Sequence, residues 1–346
     1  MKGVTILYIT MARIPGERAH SIQIARMCSA LQAAGAEVLL ISPKRGDVLS
    51  RKATMIETMK FYGLRTPFMH FRVPVPGILG PNIVAEYISW LLSVLVLSVC
   101  GIMLYTALNF VFRKNVYIFV REPLVLTIIG ILGLIIRAKI IYELHEIPTS
   151  NIFGSKTFWF VVRRVVLIVC IAEFLAKLVR RQRDINEQNV VVLHDAVEDN
   201  LFCVKHGQPS DLSMIKTKSK VILYTGQLDS WKRPEFLIDM MQHINEVDVL
   251  LVFVGGKYDD LFRLKRYAEA NGLSDRVLFL GLKPPSQIPR YLALADVLVH
   301  YSPLGTALSP LKIFEYMLSG RPIVAPNAPG VNEVLTDGVN ALLFDP

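Results

Sequence analysis

A glutamate one to two turns into an amphipathic helix, with Ser-Pro at the start of that helix, is a residue set suited to holding a nucleotide. In SPLKIFEYMLSGRPIVAPNAPG, residues 309–330, Ser309 and Pro310 open the pattern, Glu315 follows, and Gly320 ends it before an apolar run. Proline is favoured in the first turn, and the free N–H groups and dipole there can receive a phosphate. A carboxylate at 315 does not help a phosphate, but it can accept two hydrogen bonds from a vicinal diol such as ribose O2 and O3. A glutamate near a helix start is also an ordinary favourable dipole interaction. A second segment shifts that balance. In YTGQLDSWKRPEFLIDMM, residues 224–241, Gly226 turns the chain after an apolar run, and Lys232 and Arg233 stand at the start of the next helical pattern. Exposed helix-start charge is one reading. Cations are nonetheless disfavoured at the positive end of a helix unless an anion lies nearby, and two of them there can reach a diphosphate.

These residues need elements that gather strand ends. Short apolar runs alternate with helical patterns in both halves, the mark of parallel sheets with helices on each face. Candidate strands are 4–10, 37–42, 116–120, 139–144 and 165–171, then 221–225, 248–255, 276–281, 296–301 and 322–326. The fold class expected is α/β with two Rossmann-like domains, 1–205 and 206–346, joined within the polar segment 206–220. The helix carrying Glu315 follows the strand in DVLVHYSP, so the turn between them lies at a carboxyl edge, where open α/β folds bind ligands.

At 346 residues, two cores are the natural expectation. A hydrophobic content of 52% and a mean hydropathy of +0.42 are high for a freely soluble enzyme, yet 19% charged residues is too many for a polytopic membrane protein. Partial membrane contact fits both. The net charge of +9 comes from the first 200 residues, which hold 23 Lys and Arg against 14 Asp and Glu; the remainder holds 15 of each. A basic half suits an anionic membrane face or a pyrophosphate-bearing acceptor, and solvated surface charge is the bland alternative. Without zinc-finger spacing, an RNP-like run or a dense basic helix, nucleic acid ranks last. Cys28, Cys100, Cys170 and Cys203 lack paired spacing and read as thiols in a reducing, cytosolic compartment. MKGVTILYIT reads as a first strand, not a signal peptide.

Within an apolar segment, 84–112, the run Tyr87–Phe112 carries no charge and as a helix would reach roughly 39 Å. A single crossing would separate strands of one sheet. A return span is missing, since 124–136 is too short. The expectation is a helix or hairpin packed on the first domain and dipped into one leaflet, with Ser98, Gly101, Tyr105 and Asn109 on its protein side. Phe158, Trp159, Phe160, Arg163, Arg164 and the KLVRRQR run at 177–183 form a head-group fringe or are ordinary core and surface.

The chain resembles the GT-B glycosyltransferases, specifically glycosyltransferase family 4 with its glycosyl transferases group 1 domain. The segments that carry the resemblance are 13–43, 141–148 (IYELHEIP), 191–202 (VVLHDAVEDNLF), 226–238 (GQLDSWKRPEFLI), 277–303 and 309–335. It implies two Rossmann-like domains facing a cleft, and transfer of a hexose-type unit from a UDP- or GDP-sugar with retention and without an essential metal. No other cofactor is expected, and no Asp-x-Asp motif occurs. Donor contacts implied are Gly226, Lys232, Arg233, Ser309, Leu311, Lys312 and Glu315, with Lys232, Glu315 and His145 at the reaction centre. His145 would lie near the hydroxyls of the transferred sugar, though a lone histidine at a strand end is often a structural hydrogen bonder. Gly16, Arg18 and His20, with Glu17 and Ser21, would form the cleft loop facing diphosphate or acceptor, with Glu146 a polar contact; His20 and Ser21 would otherwise cap the following helix. The partners implied are a nucleotide sugar and a lipid-linked or polysaccharide acceptor, at the cytoplasmic face of a membrane through peripheral or monotopic contact. The sequence departs from the pattern at Ala307, where the first glutamate of the family's pair would stand, and at Gln227, where arginine is frequent. It also stops at ALLFDP, where the family continues with C-terminal helices. These departures motivate an alternative, a nucleotide-binding scaffold without catalysis; a nucleotide-sugar epimerase is a further one.

Overall fold

The computed structural model describes residues 3–45, 51–76, 83–147, 155–203, 220–301, 303 and 311–345. The chain divides into two compact units, Met1–His194 and Asp195–Pro346. The division precedes the expected boundary at 205/206, and residues 206–219 of the expected joint lie outside the described residues.

The first unit runs β1 (Val4–Ile9), α1 (Ala19–Ala33), β2 (Glu37–Pro43), α2 (Met55–Tyr62), β3 (Met69–Val73), α3 (Ile83–Thr106), a π-helical turn (Ala107–Val111), β4 (Asn115–Val120), α4 (Pro123–Gly133), β5 (Ile140–Leu144), α5 (Ser155–Val162), β6 (Leu167–Cys170), α6 (Glu173–Arg180) and β7 (Val190–Val192). Its strands form one parallel sheet in the order β3-β2-β1-β4-β5-β6-β7. The second unit runs α7 (Asn200–Cys203), β8 (Lys220–Thr225), α8 (Glu235–Gln242), β9 (Val249–Val254), α9 (Tyr258–Ala270), β10 (Val277–Phe279), α10 (Ile288–Leu292), β11 (Val297–Val299), α11 (Leu311–Ser319), β12 (Ile323–Pro326) and β13 (Leu342–Phe344). Its parallel order is β10-β9-β8-β11-β12-β13. In each sheet the winding reverses once, at β1/β4 and at β8/β11. Such a reversal sends neighbouring loops to opposite faces and opens a crevice at the carboxyl ends of the two strands.

Strands covered on both faces read as continuous apolar runs, and all ten expected strands are present. Each sheet is sandwiched between two apolar layers, Leu7, Ile118 and Tyr142 against Tyr8, Ile24 and Leu40 in the first unit, and Leu223, Leu298 and Tyr316 against Tyr224, Phe253 and Leu264 in the second.

The run around 87–112 is helical, as α3 and its π-helical extension. Ser89, Ser93, Val94, Leu97, Ser98, Gly101 and Tyr105 are its buried residues, so the small and polar arc faces protein. The Ser93 and Ser98 hydroxyls donate to the carbonyls of Ser89 and Val94, at 2.7 and 2.8 Å, and need no partner in the sheet. Gly101 lies against Ile9 Cδ1 in the space its own Cβ would fill, which lets α3 sit close on β1. Of the expected fringe, Phe158 belongs to the core, edge-on to Tyr142, because α5 turns that side chain toward the sheet. Phe160, Arg163 and Arg164 are exposed, with the Arg164 guanidinium 3.6 Å from the Phe160 ring centroid. Gly101→Leu should force α3 off β1 and cost about 1–3 kcal/mol in urea unfolding, as overpacked cores do. An unchanged midpoint would mean that α3 is not seated as described.

Candidate functional site

In the second unit the β8/β11 crevice collects a cluster of cations. Thr225 ends β8, and Gly226 follows with a φ of 129°, a conformation that favours glycine. Lys312, in the first turn of α11, lies over Tyr224 with its Nζ 3.7 Å from the ring centroid, and a Cβ on Gly226 would come within 2.9 Å of that nitrogen. Gly226 is therefore needed for backbone and for space. Lys232 closes a 3-10 turn, Ser230–Lys232, with its Nζ 5.1 Å from the Trp231 ring centroid. Burial lowers both lysines below their ordinary range. Lys232 further depresses Lys312, while Glu315 opposes that shift, and Asp229 opposes the shift of Lys232. Two ammonium groups that disfavour each other's charge in a half-buried crevice make a receptor for an anion.

Glu315 is 8% exposed, one turn beyond Lys312 on α11. The helix is registered against the sheet by Tyr316, whose hydroxyl accepts from Thr225 N at 2.9 Å and donates to Val299 O at 3.4 Å. That one hydroxyl ties α11 to both strands of the crevice. Leu311 is buried and contributes packing from its side chain. Arg233 does not join the cluster: it is exposed, adopts a left-handed φ of 49°, and is not among the charges felt by Lys232, Lys312 or His300. Ser309, with Pro310 and Ala307, lies outside the described residues. His300 was not singled out from sequence. It follows β11 at 3% exposure with neither ring nitrogen hydrogen-bonded, and burial, then the charges of Lys312 and Lys232, hold it well below its ordinary range. A neutral imidazole at a crevice can offer a donor and an acceptor to a polar ligand. The sequence signal was its place at the end of a buried strand before a loop.

The first unit has a cavity of about 300 Å³ where β1 and β4 diverge. Arg18 and His20 reach it from the loop after β1 and the first turn of α1, Arg45 from behind β2, Arg121 and Glu122 from behind β4, and Tyr142, His145 and Glu146 from β5 and its end. Arg18, His20, His145 and Glu146 thus meet in one place. Gly16 does not: its N–H donates to Tyr62 Oη at 2.6 Å and its carbonyl accepts from the same hydroxyl at 2.9 Å, so neither group is free for a ligand. Glu17 pairs with Arg13 at 3.2 Å. Arg18 is the N-cap of α1 without a side-chain capping bond, so neither His20 nor Ser21 caps that helix.

Beneath the cavity lies a charged network that sequence reasoning missed. Glu143, 1% exposed, accepts from Gln23 Nε2 at 2.7 Å and from Tyr8 Oη at 3.3 Å, and stands 3.1 Å from His145 Nε2 at ion-pair distance without hydrogen-bond alignment. Burial pushes the Glu143 carboxyl up, but His145, Arg121 and Gln23 more than offset it and hold it below the usual range. Glu143 orients His145; Glu146, the acid singled out from sequence, is exposed at the rim. The missed signal was an acid inside the apolar run IIYEL. Arg121 donates to Gln23 Oε1 at 2.7 Å, and Glu122 accepts from Thr10 Oγ1 and Met11 N at 2.6 and 3.0 Å. Tyr142 presents a fully buried hydroxyl with no hydrogen-bond partner at the cavity wall.

Burial, then Arg121 and Arg18, bring His20 down to about 4, and burial, then Arg72, brings His70 down to about 3, from 6.5. Both are neutral when folded and bind protons more readily when unfolded. Their stability contribution is complete above pH 6.5 and is lost as pH falls toward 4, with a slope of at most about 1.4 kcal/mol per pH unit for each. Urea unfolding across that window should show the loss, and His20→Gln should reduce its slope; a flat profile would contradict the burial of these rings.

Comparison with known proteins agrees with this fold. Residues 211–346 match the family glycosyl transferases group 1. The D-inositol 3-phosphate glycosyltransferase of Corynebacterium diphtheriae is 27% identical over 191 residues, covering 52% of this chain and 44% of that protein. Spore coat protein SA of Bacillus subtilis is 30% identical over 132 residues, covering 36% and 35%. The matches to the first curated relatives span only 35% to 55% of those proteins' own length. Among solved structures, Anabaena HepE in complex with UDP and glucose superposes with a TM-score of 0.68 at 20% identity, over 99% of this chain and 85% of that one. A glycosyltransferase from Rickettsia africae gives 0.70 at 16% identity, over 99% and 84%. The chain therefore has two reversed parallel sheets of the GT-B type, and its second unit carries the match to the glycosyl transferases group 1 family.

Proposed function

We propose that the protein is a retaining, metal-independent glycosyltransferase that moves a hexose-type unit from a UDP- or GDP-sugar to a lipid-linked or polysaccharide acceptor. The observation that carries this reading is the Lys232–Lys312 pair beside Gly226, one helical turn from Glu315. A leaving nucleoside diphosphate gains negative charge as the glycosidic bond breaks, and fixed cations in a half-buried crevice stabilise that charge more than they stabilise the ground state. Glu315 would take the ribose diol, and neutral His300 a further polar group of the donor. Lys312 also answers the departure at Gln227, since it supplies a cation beside Gly226 where the family's arginine would act. In the first unit, His145 held by Glu143 would position a sugar hydroxyl, and Arg18, Arg45 and Arg121 would attract an anionic acceptor. The binding of UDP by HepE supports a nucleotide-sugar donor. The free thiols Cys28, Cys100 and Cys170 are compatible with a cytoplasmic setting.

Gln227 favours one second reading, a scaffold that binds nucleotide without turnover. A thermal-shift panel of UDP, GDP and ADP should select one base, adding about 2.7 kcal/mol at a hundredfold excess over Kd. Lys232→Ala and Lys312→Met should each lower kcat/KM by about 10²-fold, and Glu315→Gln should weaken nucleotide binding. Nucleotide binding without donor hydrolysis or transfer on any acceptor would establish the scaffold, and no binding at all would overturn both.

A further inference from the structure

The outer surface of α3 is an unbroken apolar stripe. Val84, Ile88, Leu92, Leu95, Val99 and Met103 recur at spacings of three and four, with exposures from 38% to 67%. The stripe continues into Phe110, Val111 and Phe112, and the turn after α4 adds Ile135, which is 91% exposed. The helix is long and apolar enough to cross a bilayer. Its opposite face, however, is committed to the sheet through Ser93, Leu97 and Gly101, and crossing would strip that face from β1 and β2.

Charge marks the ends of the surface. Helices α3, α4 and α5 all finish at the amino edge of the sheet, where Arg113, Lys114, Arg137, Lys139, Arg163 and Arg164 follow their last turns. Lys114 is paired with Glu37, and Lys139 donates to Asn115 Oδ1; Arg113, Arg137, Arg163 and Arg164 are exposed. Helix dipoles alone favour cations there, but they do not account for the exposed Phe112 and Ile135 beside them. At the other end of α3, Tyr87 and Trp90 stack at 6.0 Å and are partly exposed, rings of the type that settle at a head-group boundary. A second copy of the chain offers little in exchange: Glu86 is the only carboxylate within α3, α4 and α5, so a symmetric contact through these helices brings few acids to the cations at their ends.

We propose that this surface seats on a single leaflet of an anionic phospholipid bilayer, with α3 lying in the membrane plane along its length of about 36 Å and its apolar stripe sunk to the acyl boundary. The first unit is then monotopic. Because α3 follows β3 and α4 begins at Pro123 on the cavity wall, the carboxyl edge that bears the cavity runs beside the leaflet, within reach of an acceptor whose lipid remains in the membrane.

Flotation of the full chain with vesicles tests this without requiring turnover. Binding is expected to phosphatidylcholine vesicles containing phosphatidylglycerol, to be much weaker to phosphatidylcholine alone, and to be released by alkaline carbonate. Met103→Asp and Ile135→Asp, both at exposed positions, should abolish it while leaving the melting temperature and the nucleotide-induced shift unchanged. Arg113→Asn and Arg137→Asn, in which asparagine tolerates the left-handed backbone at these sites, should each weaken it about fivefold. Resistance to carbonate would show a crossing helix and overturn the in-plane arrangement. Equal binding to neutral vesicles would remove the anionic partner. A dimer split by Ile135→Asp, with no vesicle binding, would assign the surface to a second copy. The nucleotide panel is independent of all three, so failure here leaves the proposed reaction standing.

Discussion

Everything chemical in this molecule depends on where the parallel sheets reverse their winding. β8 pairs with β9 on one side and β11 on the other, and β1 likewise pairs with β2 and β4. Only at those strand pairs do the following loops part to opposite faces, leaving a gap that backbone does not fill. The second unit lines its gap with ammonium groups, and the first lines its gap with guanidinium groups over a buried carboxylate. The topology therefore selects the sites before any side chain does.

Holding cations in such gaps has a structural cost, and the surroundings show how it is met. Lys312 lies on the face of Tyr224, whose ring quadrupole favours a cation, and is opposed by Glu315 one turn on. In the first unit Glu143 takes the converse role as a buried acid, compensated by Gln23, Tyr8 and His145. Each crevice also holds an uncompensated buried group, His300 with two unpaired nitrogens in the second unit and Tyr142 with an unpaired hydroxyl in the first. Buried polar groups are nearly always hydrogen-bonded, so an orphaned group at each reversal point is one that a polar ligand would satisfy.

The same fold that gathers polar groups at the carboxyl edges places an apolar layer on the outside of α3 and α4. An ordinary surface helix hides its apolar arc against the sheet. α3 is apolar on both faces, turning Val94, Leu97 and Tyr105 inward among serines and a glycine, and Leu95, Val99 and Met103 outward. Its inward residues gain from close approach to the sheet, since small side chains and self-satisfied hydroxyls allow tight packing. Its outward residues gain nothing from water.

The sequence by itself determined the central strands, because strands covered on both faces must be continuously apolar whatever their neighbours. It also determined the inward arc of α3 and the turn chemistry that puts Gly226, Lys232 and Glu315 near strand ends. The strands it did not reveal, β3, β7 and β13, lie at sheet edges. There one side lacks a paired neighbour and MHFRV mixes polar with apolar residues, so no run stands out. Only the tertiary structure decided which polar residues share a crevice. Gly16 looked free but is consumed by Tyr62, forty-six residues away in the chain, Arg233 looked equal to Lys232 but faces solvent, and Glu143 and His300 looked like strand residues but are buried charge and orphan imidazole. Such pairings depend on contacts between residues far apart in sequence, which local spacing does not encode.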